Sequence, residues 1–482
     1  MVDIPSNFLP LVIFIFVVVL ILLSFKGIPR LKYIANFAIA PLIGVVLLAV
    51  TFSATPEVFL SGIVGFAGVK PYNIILLFMN LAYICISLDR TGFFEYLSLM
   101  VTRKAGTSGI KLFLYLFLLA GLVTIFTSND IVILTFTPII IYMAKYAKIN
   151  PVPFLFANFF AANILSTFLY IENPTNIIIA QAFQITFVAF FLWMFLPTVA
   201  GGLSAFLILW LYFRKQIPPK ITPSEIDPRL ALQDVSGAIY NTIVLGICLT
   251  LLSIFVDLGW LVTFFCAMAC LARDFGHDLY MCHKGLTEAP ISPLLAKLNT
   301  EVGIATEKPD EKKHLLPRVY SVGSRMPWKI IPFVVGMFIL VEAMRNAGWI
   351  DLFAAGISTI LLNPYTSILE MTTISALAAN FMNNQPMTIF FGEILLNPNL
   401  AVSHQVAFGS VFALIMGSNY GACFTMLGAL AGIMWCDIAN DQKIKIGPKQ
   451  FAKLGFSVVP IVILAASSML TLEILLFPGL IP

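Results

Sequence analysis

Charged residues are scarce in this sequence. Only 11% of its 482 residues are Asp, Glu, Lys or Arg, whereas 60% are apolar and the mean hydropathy is +0.96. Soluble domains carry about 25% charged residues. The composition therefore excludes an ordinary soluble domain and predicts a protein that crosses the lipid bilayer many times. The net charge of +4 is small and gives no reason to expect nucleic acid as a partner.

Cysteine motifs and a signal-peptide pattern are also missing. The seven cysteines are odd in number and form neither a metal-ligand pattern nor a disulfide framework. We therefore expect buried thiols and no metal site. The N-terminus has no positively charged segment and no small-residue cleavage site. Residues 8–25 are apolar and long enough to cross a bilayer, so we expect a retained first helix.

Polar residues concentrate in four short clusters between apolar stretches that could lie in lipid. The clusters lie at 127–130 and 172–176 in the first half, and at 383–386 and 417–421 in the second half. Burying an unpaired polar group in lipid is costly. Such groups usually face a cavity and mark the path of a solute or an ion. We therefore interpret the four clusters as parts of one transport site.

The two halves repeat these features in the same order. The motif LDRTGFF at 88–94 ends one apolar stretch, and MRNAGWI at 344–350 ends the corresponding stretch of the second half. Each motif is followed, at nearly the same distance, by a polar cluster and then by a second one. Internal repeats with interrupted helices are typical of secondary transporters, whose sites lie where the interruptions meet.

These features predict an all-α polytopic membrane protein built as an inverted-repeat transporter. We expect about ten spanning helices, two re-entrant hairpins and two broken helices. The first repeat is 1–214, with a hairpin tip at 127–130 and a helix break at 171–176, and a cytoplasmic linker follows at 215–236. The second repeat is 237–482, with a cytoplasmic loop at 273–326, a hairpin tip at 382–386 and a break at 417–422.

The distribution of Lys and Arg gives the expected orientation. With the hairpins re-entrant, one face of the membrane receives nearly all of the cations, which lie at 26–32, 90–111, 145–148, 214–229, 273–325 and 443–453. The other face receives little more than Lys70 and Arg345. Because cytoplasmic loops carry the excess of Lys and Arg, both termini are expected to be extracytoplasmic. The membrane would be a plasma membrane or a bacterial inner membrane.

The polar clusters supply the candidate ligands for a solute and a coupling ion. These are Ser128, Asn129, Asp130, Glu172, Asn173, Thr175, Asn176, Asn383, Asn384, Ser418, Asn419 and Thr425. Pro174 removes a backbone donor, and Gly417 and Gly421 permit unusual dihedral angles, which accounts for the breaks. Freed carbonyls could bind a cation or a hydroxylated solute, and the helix N-termini beyond each break present amides with a positive dipole.

Asp130 and Glu172 are the only carboxylates in these clusters, so they are the candidates for ion coupling by H⁺ or Na⁺. Two alternatives stay open: Asp130 caps the helix that begins at Ile131, and Glu172 lies at an aqueous mouth without a chemical role. The sequence contains no phosphate-binding P-loop. We therefore expect a protein that is not an enzyme and needs no cofactor. Ion gradients or a separate ATPase subunit would drive transport, and a homodimer is an open alternative.

Weaker candidates lie outside the clusters. Cys423 follows the second break, where it could meet a soft metalloid, but a buried thiol of the core is the simpler interpretation. Asp89 and Arg90 are interpreted as a cytoplasmic surface pair. Glu393 is expected to face water.

Several motifs resemble those of the arsenical pump membrane protein family, the arsenite and antimonite permeases of the ion transporter superfamily. They are LDRTGFFE at 88–95, SND at 128–130 with LTFTPI at 134–139, LYFRKQIP at 211–218, MRNAG at 344–348, MNNQP at 382–386, and 417–421 with LGALAG at 427–432. The shared motifs span nearly the whole chain. Three parts of the sequence depart from the family: Asn419 stands where the permeases carry an acidic residue, TMLG at 425–428 replaces a TPIG-like run, and 172–176 is closer to silicon and anion transporter branches.

The resemblance implies an inverted-repeat fold with two hairpins, and export of arsenite or antimonite in exchange for protons or with an ATPase partner. Neutral trihydroxy solutes suit amide and hydroxyl ligands. The alternatives on the same fold are a Na⁺/H⁺ antiporter and a Na⁺-coupled anion or dicarboxylate symporter, although the clusters contain no Arg for bidentate binding of carboxylates. An alternative from another class is a non-transporting membrane receptor or partner subunit.

Overall fold

The computed structural model describes residues 4–24, 38–65, 70–222, 227–255, 258–284 and 316–481. Within these ranges the regular secondary structure consists of α-helices and short 3₁₀ segments, with no β-strand. This confirms the predicted all-α class. Lipid offers no hydrogen-bond partners, so a chain this apolar must satisfy its backbone groups within each segment, which helices do.

The helices have the following bounds. They are α1 (Leu9–Ser24), α2 (Ala40–Val50), α3 (Pro56–Val64), α4 (Pro71–Arg90), α5 (Phe93–Ala105), α6 (Gly109–Phe126), α7 (Asn129–Tyr146), α8 (Val152–Ile164), α9 (Pro174–Ala182), α10 (Phe187–Phe213), α11 (Val235–Ile254), α12 (Gly259–His283), α13 (Pro317–Arg325), α14 (Ile330–Asn346), α15 (Trp349–Ser358), α16 (Ser367–Met382), α17 (Asn384–Leu396), α18 (His404–Gly421), α19 (Leu430–Asp441) and α20 (Pro448–Leu476). Short 3₁₀ helices cover Leu165–Thr167, Tyr170–Glu172, Pro228–Leu230 and Pro478–Leu480.

The second half of the chain repeats the helix order of the first. Helices α4 to α10 recur as α14 to α20, with the same sequence of long, short, paired and interrupted helices. Gly92 and Gly348 precede the equivalent short helices α5 and α15, and both adopt a left-handed backbone, with φ of 83° and 84°. Glycine takes this conformation at little cost. The repeated Gly in the two sequence motifs therefore has the same conformational role in each half.

The two halves exchange their first three helices. Helices α1, α2 and α3 pack against α14, whereas α11, α12 and α13 pack against α4. The long helices α10 and α20 pack against each other, α7 contacts α19, and α9 contacts α17. Each half therefore completes the other, and the interrupted helices lie where the halves meet.

Seven helical stretches of the described chain are long and apolar enough to cross a membrane. They are Pro71–Arg90, Gly109–Phe126, Phe187–Phe213, Val235–Ile254, Gly259–His283, Pro317–Asn346 and Pro448–Leu476. Shorter apolar helices such as Leu9–Leu23 and Val152–Thr167 accompany them. The polytopic membrane class is confirmed. The number of spans, the re-entrant path of the hairpins and the orientation of the termini stay predictions.

Both helix breaks lie at positions other than the predicted ones. The first occupies 165–173, between α8 and α9, rather than 171–176, because Pro174 begins α9 at a position where its missing N–H costs nothing. The second occupies 422–429 rather than 417–422. Gly417 and Gly421 are helical residues of α18 and serve close packing instead: a Cβ on either would lie 2.7 Å from a carbonyl of α16.

The predicted cytoplasmic loop at 273–326 is helical at both described ends. Helix α12 continues to His283, and α13 begins at Pro317. An ion network accounts for this order: Asp234 accepts hydrogen bonds from Arg273 and from Arg318, the latter at 2.5 Å. Asp278 accepts the backbone N–H groups of Arg318 and Val319, at 3.1 and 3.0 Å. Residues 285–315 of the predicted loop, and 223–226 of the linker, lie outside the described residues.

Burial and ion pairing have opposite effects on the pKa of the Asp234 carboxyl. Burial alone would raise the pKa of this carboxyl, but hydrogen bonds from Arg318 and Arg273 hold its pKa well below the usual range. The network therefore fixes α11, α12 and α13 together as long as Asp234 is ionised.

Candidate functional site

Asn419, on the last turn of α18, is the centre of a buried hydrogen-bond network. Its Oδ1 accepts from the Ser166 hydroxyl and from Asn173 Nδ2, both at 2.8 Å. Its Nδ2 donates to Asn176 Oδ1 at 2.7 Å and to the Ile415 carbonyl at 2.8 Å. A buried amide that uses both its acceptor sites and its donors is held in one orientation. One side chain of the second half thus binds both sides of the first break.

Neighbouring side chains extend this contact between the halves. The Ser418 hydroxyl donates to Thr175 Oγ1 at 3.2 Å, and Asn176 Nδ2 donates to the Ser166 carbonyl at 2.6 Å. Asn173 caps α9, because its Oδ1 accepts the Thr175 N–H at 3.1 Å. All of these side chains are essentially inaccessible to solvent. Five of the predicted residues therefore form one buried cluster: Asn173, Thr175, Asn176, Ser418 and Asn419.

The first hairpin tip joins the same network through α8. Asn129 Nδ2 donates to Asn163 Oδ1 at 3.1 Å, and the Asn163 carbonyl accepts the Ser166 hydroxyl at 2.7 Å. Ser166 in turn donates to Asn419. The hydrogen bonds thus connect the tip, the first break and α18 without interruption.

The second hairpin tip contacts the second break in an equivalent way. The Asn384 N–H donates to the Gly428 carbonyl at 3.0 Å, and the Thr425 hydroxyl donates to Asn380 Oδ1 at 2.6 Å. Asn380 Nδ2 donates to the Gly421 carbonyl at 3.0 Å. Asn383 and Asn419 are not joined by a hydrogen bond among the described residues. The structure therefore places the candidates in two clusters, which meet at the C-terminal end of α18.

Asn383 has a strained backbone at the turn between α16 and α17. Its φ and ψ are 69° and 151°, a region that is essentially reserved for glycine. Its Oδ1 accepts the Gln385 N–H at 3.4 Å, and its Nδ2 donates to the Leu427 carbonyl at 3.5 Å. Side-chain contacts to both the next helix and the second break accompany this conformation. Strain of this kind concentrates at functional sites.

The two candidate carboxylates differ in their surroundings. Glu172 is fully buried, and its Oε1 accepts the Leu169 N–H at 2.7 Å, while its Oε2 has no hydrogen-bond partner among the described residues. The interpretation of Glu172 as a residue at an aqueous mouth is wrong for this conformation. Asp130 is half-buried in the first turn of α7. The cap of that helix is Ser128, whose Oγ accepts the Asp130 N–H at 3.3 Å, so the capping interpretation of Asp130 is also wrong.

Sequence reasoning missed three polar residues of these clusters. Asn163, Ser166 and Asn380 lie outside the four polar clusters, within apolar stretches of the sequence. Each is a polar side chain in a run of apolar residues, which is the signal that could have identified it.

The three weaker candidates lie in different environments. Glu393 is buried on α17, so the prediction that it faces water is wrong. Cys423 is buried as a free thiol, in agreement with its interpretation as a core residue. Asp89, interpreted from sequence as the partner of Arg90, binds Arg325 of α13 at 2.6 Å and accepts a hydrogen bond from Thr135 at 3.0 Å.

No group of three or more His, Cys, Asp or Glu side chains in the described ranges is arranged to hold a metal ion. The chemistry of the two clusters is that of neutral amides, hydroxyls and backbone carbonyls, with Glu172 and Asp130 beside them. Such a site can exchange hydrogen bonds with a small polar solute.

Comparison with known proteins identifies the family. The family model described as citrate transporter matches residues 11–417, which is most of the chain. The chain belongs to the citrate transporter family. An arsenical pump membrane protein of Escherichia coli is 26% identical to this family member over 380 residues, covering 78% of this chain and 80% of the pump. One of Yersinia enterocolitica is 26% identical over 391 residues, covering 80% of this chain and 82% of the pump.

The fold of this family member is similar to the crystal structure of the YdaH transporter of Alcanivorax borkumensis, which was described as having an unusual topology. The TM-score is 0.53 at 13% identity, with 88% of this chain and 89% of that chain covered. The resemblance to the arsenical pump proteins is confirmed. Family, relatives and apolar helices together establish an integral, multi-pass membrane transporter of the secondary type.

Proposed function

We propose that this transporter exports arsenite, antimonite or a similar small inorganic solute in exchange for protons. The observation that carries the proposal is the Asn419 network, in which neutral amide and hydroxyl groups of both halves meet at a helix break. A neutral trihydroxy solute offers three hydroxyl groups that can both donate and accept. It could therefore replace the hydrogen bonds between Asn419 and the first break without bringing a charge into the membrane.

This replacement would couple binding to movement of the halves. In the described conformation Asn419, Asn173 and Asn176 are buried and bound to one another. A solute that takes over these hydrogen bonds would weaken the contact between α18 and the first break. Rocking of one repeat against the other around a fixed site is the general mode of alternating access.

Glu172 and Asp130 support coupling to protons. The buried Glu172 carboxyl has one oxygen without a partner among the described residues, and an unpaired charge in such a place is costly. It would be stable with a bound proton or a cation. Asp130 is only half-buried and lies one residue from Asn129, which belongs to the same network. The two carboxyls could therefore take up the coupling ion at different depths.

Proteoliposomes that contain the purified protein test this proposal. With an imposed pH gradient and no ATP, we expect accumulation of arsenite and antimonite, and we expect Glu172→Gln and Asp130→Asn to remove the response to pH. Glu393→Gln is the matched control, because Glu393 is also a buried carboxyl but lies outside the clusters. Absence of arsenite and antimonite flux in active vesicles would contradict the choice of solute. Flux that appears only after addition of an ATPase subunit would contradict exchange driven by protons alone.

A carboxylate solute is the second candidate, because the matching family model is described as citrate transporter. Helix α9 begins at the first break, and helix α17 begins at the second hairpin tip. The backbone amides at these two helix N-termini could bind a carboxylate. The same vesicles separate the alternatives. Citrate or dicarboxylate uptake that requires Na⁺ would indicate a symporter, whereas Na⁺ movement against a proton gradient with no other solute would indicate a Na⁺/H⁺ antiporter.

A further inference from the structure

A crevice of about 300 Å³ opens between α5 and the segment that leads into α11. One wall is a single face of α5, because Tyr96, Met100, Arg103 and Lys104 follow the i, i+4, i+7, i+8 spacing of neighbouring helix positions. The opposite wall is the segment 227–229. The crevice therefore lies between the first repeat and the linker to the second repeat.

The walls of this crevice carry an excess of positive charge. The side chains of Arg103, Lys104 and Arg229 are exposed, and none of them forms a salt bridge within the described part of the chain. Among the lining residues only Asp227 has a carboxylate, and its Oδ1 accepts the backbone N–H of Arg229 at 3.1 Å as a cap. Three cationic groups are thus available to an anionic ligand.

Backbone hydrogen bonds hold the linker against both ends of α5. The Ile221 N–H donates to the Thr107 carbonyl at 2.8 Å, and the Gln233 N–H donates to the Thr91 carbonyl at 3.0 Å. Thr91 precedes α5 and Thr107 follows it. The second wall is therefore attached to the first on either side of the crevice.

The crevice lies where two apolar helices begin. Helices α6 and α11 are long and apolar enough to cross a membrane, and they begin at Gly109 and Val235, a few residues beyond the two walls. Apolar side chains are exposed next to the cations: Leu230, Val235 and Ile239 are each more than half exposed. A small soluble anion needs no such apolar surface, whereas a lipid does.

We propose that this crevice binds the phosphate headgroup of an anionic phospholipid. The guanidinium groups of Arg103 and Arg229 can each bind two phosphate oxygens, and the ammonium group of Lys104 adds a third positive charge. The acyl chains would lie along Leu230 and the exposed side of α11. The distribution of Lys and Arg predicts that this face is cytoplasmic, and the cytoplasmic leaflet is the one that carries anionic lipids.

Photocrosslinking of the wild-type, full-length protein tests the site directly. The protein is reconstituted in phosphatidylcholine vesicles with a small fraction of photoactivatable phosphatidylglycerol, and adducts are located by peptide mass spectrometry. We expect adducts concentrated on 96–104 and 227–231, and competition by unlabelled phosphatidylglycerol but not by inorganic phosphate. Adducts spread evenly over all cation-rich segments, or equal competition by inorganic phosphate, would overturn the proposal.

Two matched double variants measure the contribution of the crevice. Arg103→Gln with Lys104→Gln removes an Arg–Lys pair from the crevice, and Arg214→Gln with Lys215→Gln removes an exposed Arg–Lys pair just after α10, outside it. Native mass spectrometry of the purified proteins gives their affinity for phosphatidylglycerol. The crevice variant should bind about thirtyfold more weakly than the wild type, since each cation contributes about one tenfold step or slightly less. The control should stay within about twofold.

Equal losses in the two variants would mean that only the general positive field attracts the lipid, and unchanged affinity of the crevice variant would also contradict the proposal. The crosslinking experiment uses no variant, so it decides the question even if the crevice variant does not fold. The site does not depend on which solute the transporter carries, and its failure leaves the solute proposal untouched.

Discussion

Replacement of Asn419 by alanine should destabilise the contact between the two halves and stop transport. The change removes the amide that binds Ser166, Asn173 and Asn176 across the first break. Ser166 keeps a partner, because its hydroxyl also donates to the Asn163 carbonyl. Among the described residues, Asn173 Nδ2 and Asn176 Oδ1 have no other hydrogen bond, so both would be left buried without a partner.

The magnitude follows from the number of orphaned groups. A buried donor or acceptor that loses its partner costs about 1–3 kcal/mol, so two orphaned groups cost about 2–6 kcal/mol. The matched control is Asn158→Ala on α8. Asn158 is also fully buried, but neither its Oδ1 nor its Nδ2 has a hydrogen-bond partner among the described residues. The same atoms are deleted in both variants, so the difference between them isolates the hydrogen bonds.

Thermal unfolding of both variants in detergent, together with solute flux in proteoliposomes, measures the difference. We expect Asn419→Ala to unfold several degrees below the wild type and to lose flux, and Asn158→Ala to stay close to the wild type in both assays. Equal stability of the two variants would refute the argument that the Asn419 network joins the halves. A stable Asn419→Ala protein with normal flux would remove this network from the transport site.

Three further predictions concern other parts of the fold. Gly417→Ala should lower the melting temperature, because its Cβ would lie 2.7 Å from the Thr372 carbonyl. The control Gly246→Ala should be neutral or stabilise the protein by up to about 1 kcal/mol, because nothing lies within 4 Å of its Cβ. Equal melting temperatures of the two variants would argue against close packing of α18 on α16. Asn383→Ala should be less stable than Asn383→Gly, because only glycine adopts the observed backbone at little cost, and the reverse order would mean that the backbone at 383 is not strained. Asp234→Asn should lower stability at neutral pH. Since the folded pKa of Asp234 lies below its unfolded pKa, its contribution to the free energy of unfolding is complete above about pH 4 and is lost as the pH falls toward the folded pKa. The stabilities of wild type and variant should therefore converge in acid unfolding curves. A difference that stays constant with pH would rule out this ionisation as the cause.

The repeated architecture could be predicted because its signals are local. The Gly residues at 92 and 348, the polar turns before α7 and α17, and the apolar runs between them all appear in single short segments. The exchange of α1–α3 and α11–α13 between the halves could not be predicted, since contacts between distant segments leave no mark in a local pattern.

The candidate site was only partly accessible to sequence reasoning for the same reason. Asn173, Thr175, Asn176, Ser418 and Asn419 were identified because they stand together in polar clusters, and the structure brings them into contact. Their connection through Asn163 and Ser166 was missed, because a single polar residue in an apolar run has several equally good explanations. Glu393 was misassigned since sequence does not tell which face of α17 is covered by other helices.

The exchanged packing of the two halves also has a consequence for synthesis of the chain. Helices α1 to α3 leave the ribosome early. Their packing partner α14 is synthesised only after helices α4 to α13. At about 5–20 residues per second, roughly 270 intervening residues take about 15–55 seconds to translate. For that time the first three helices must be held in the membrane by lipid or by the insertion machinery. The packing of the first three helices is therefore completed only after the second half of the chain has been synthesised.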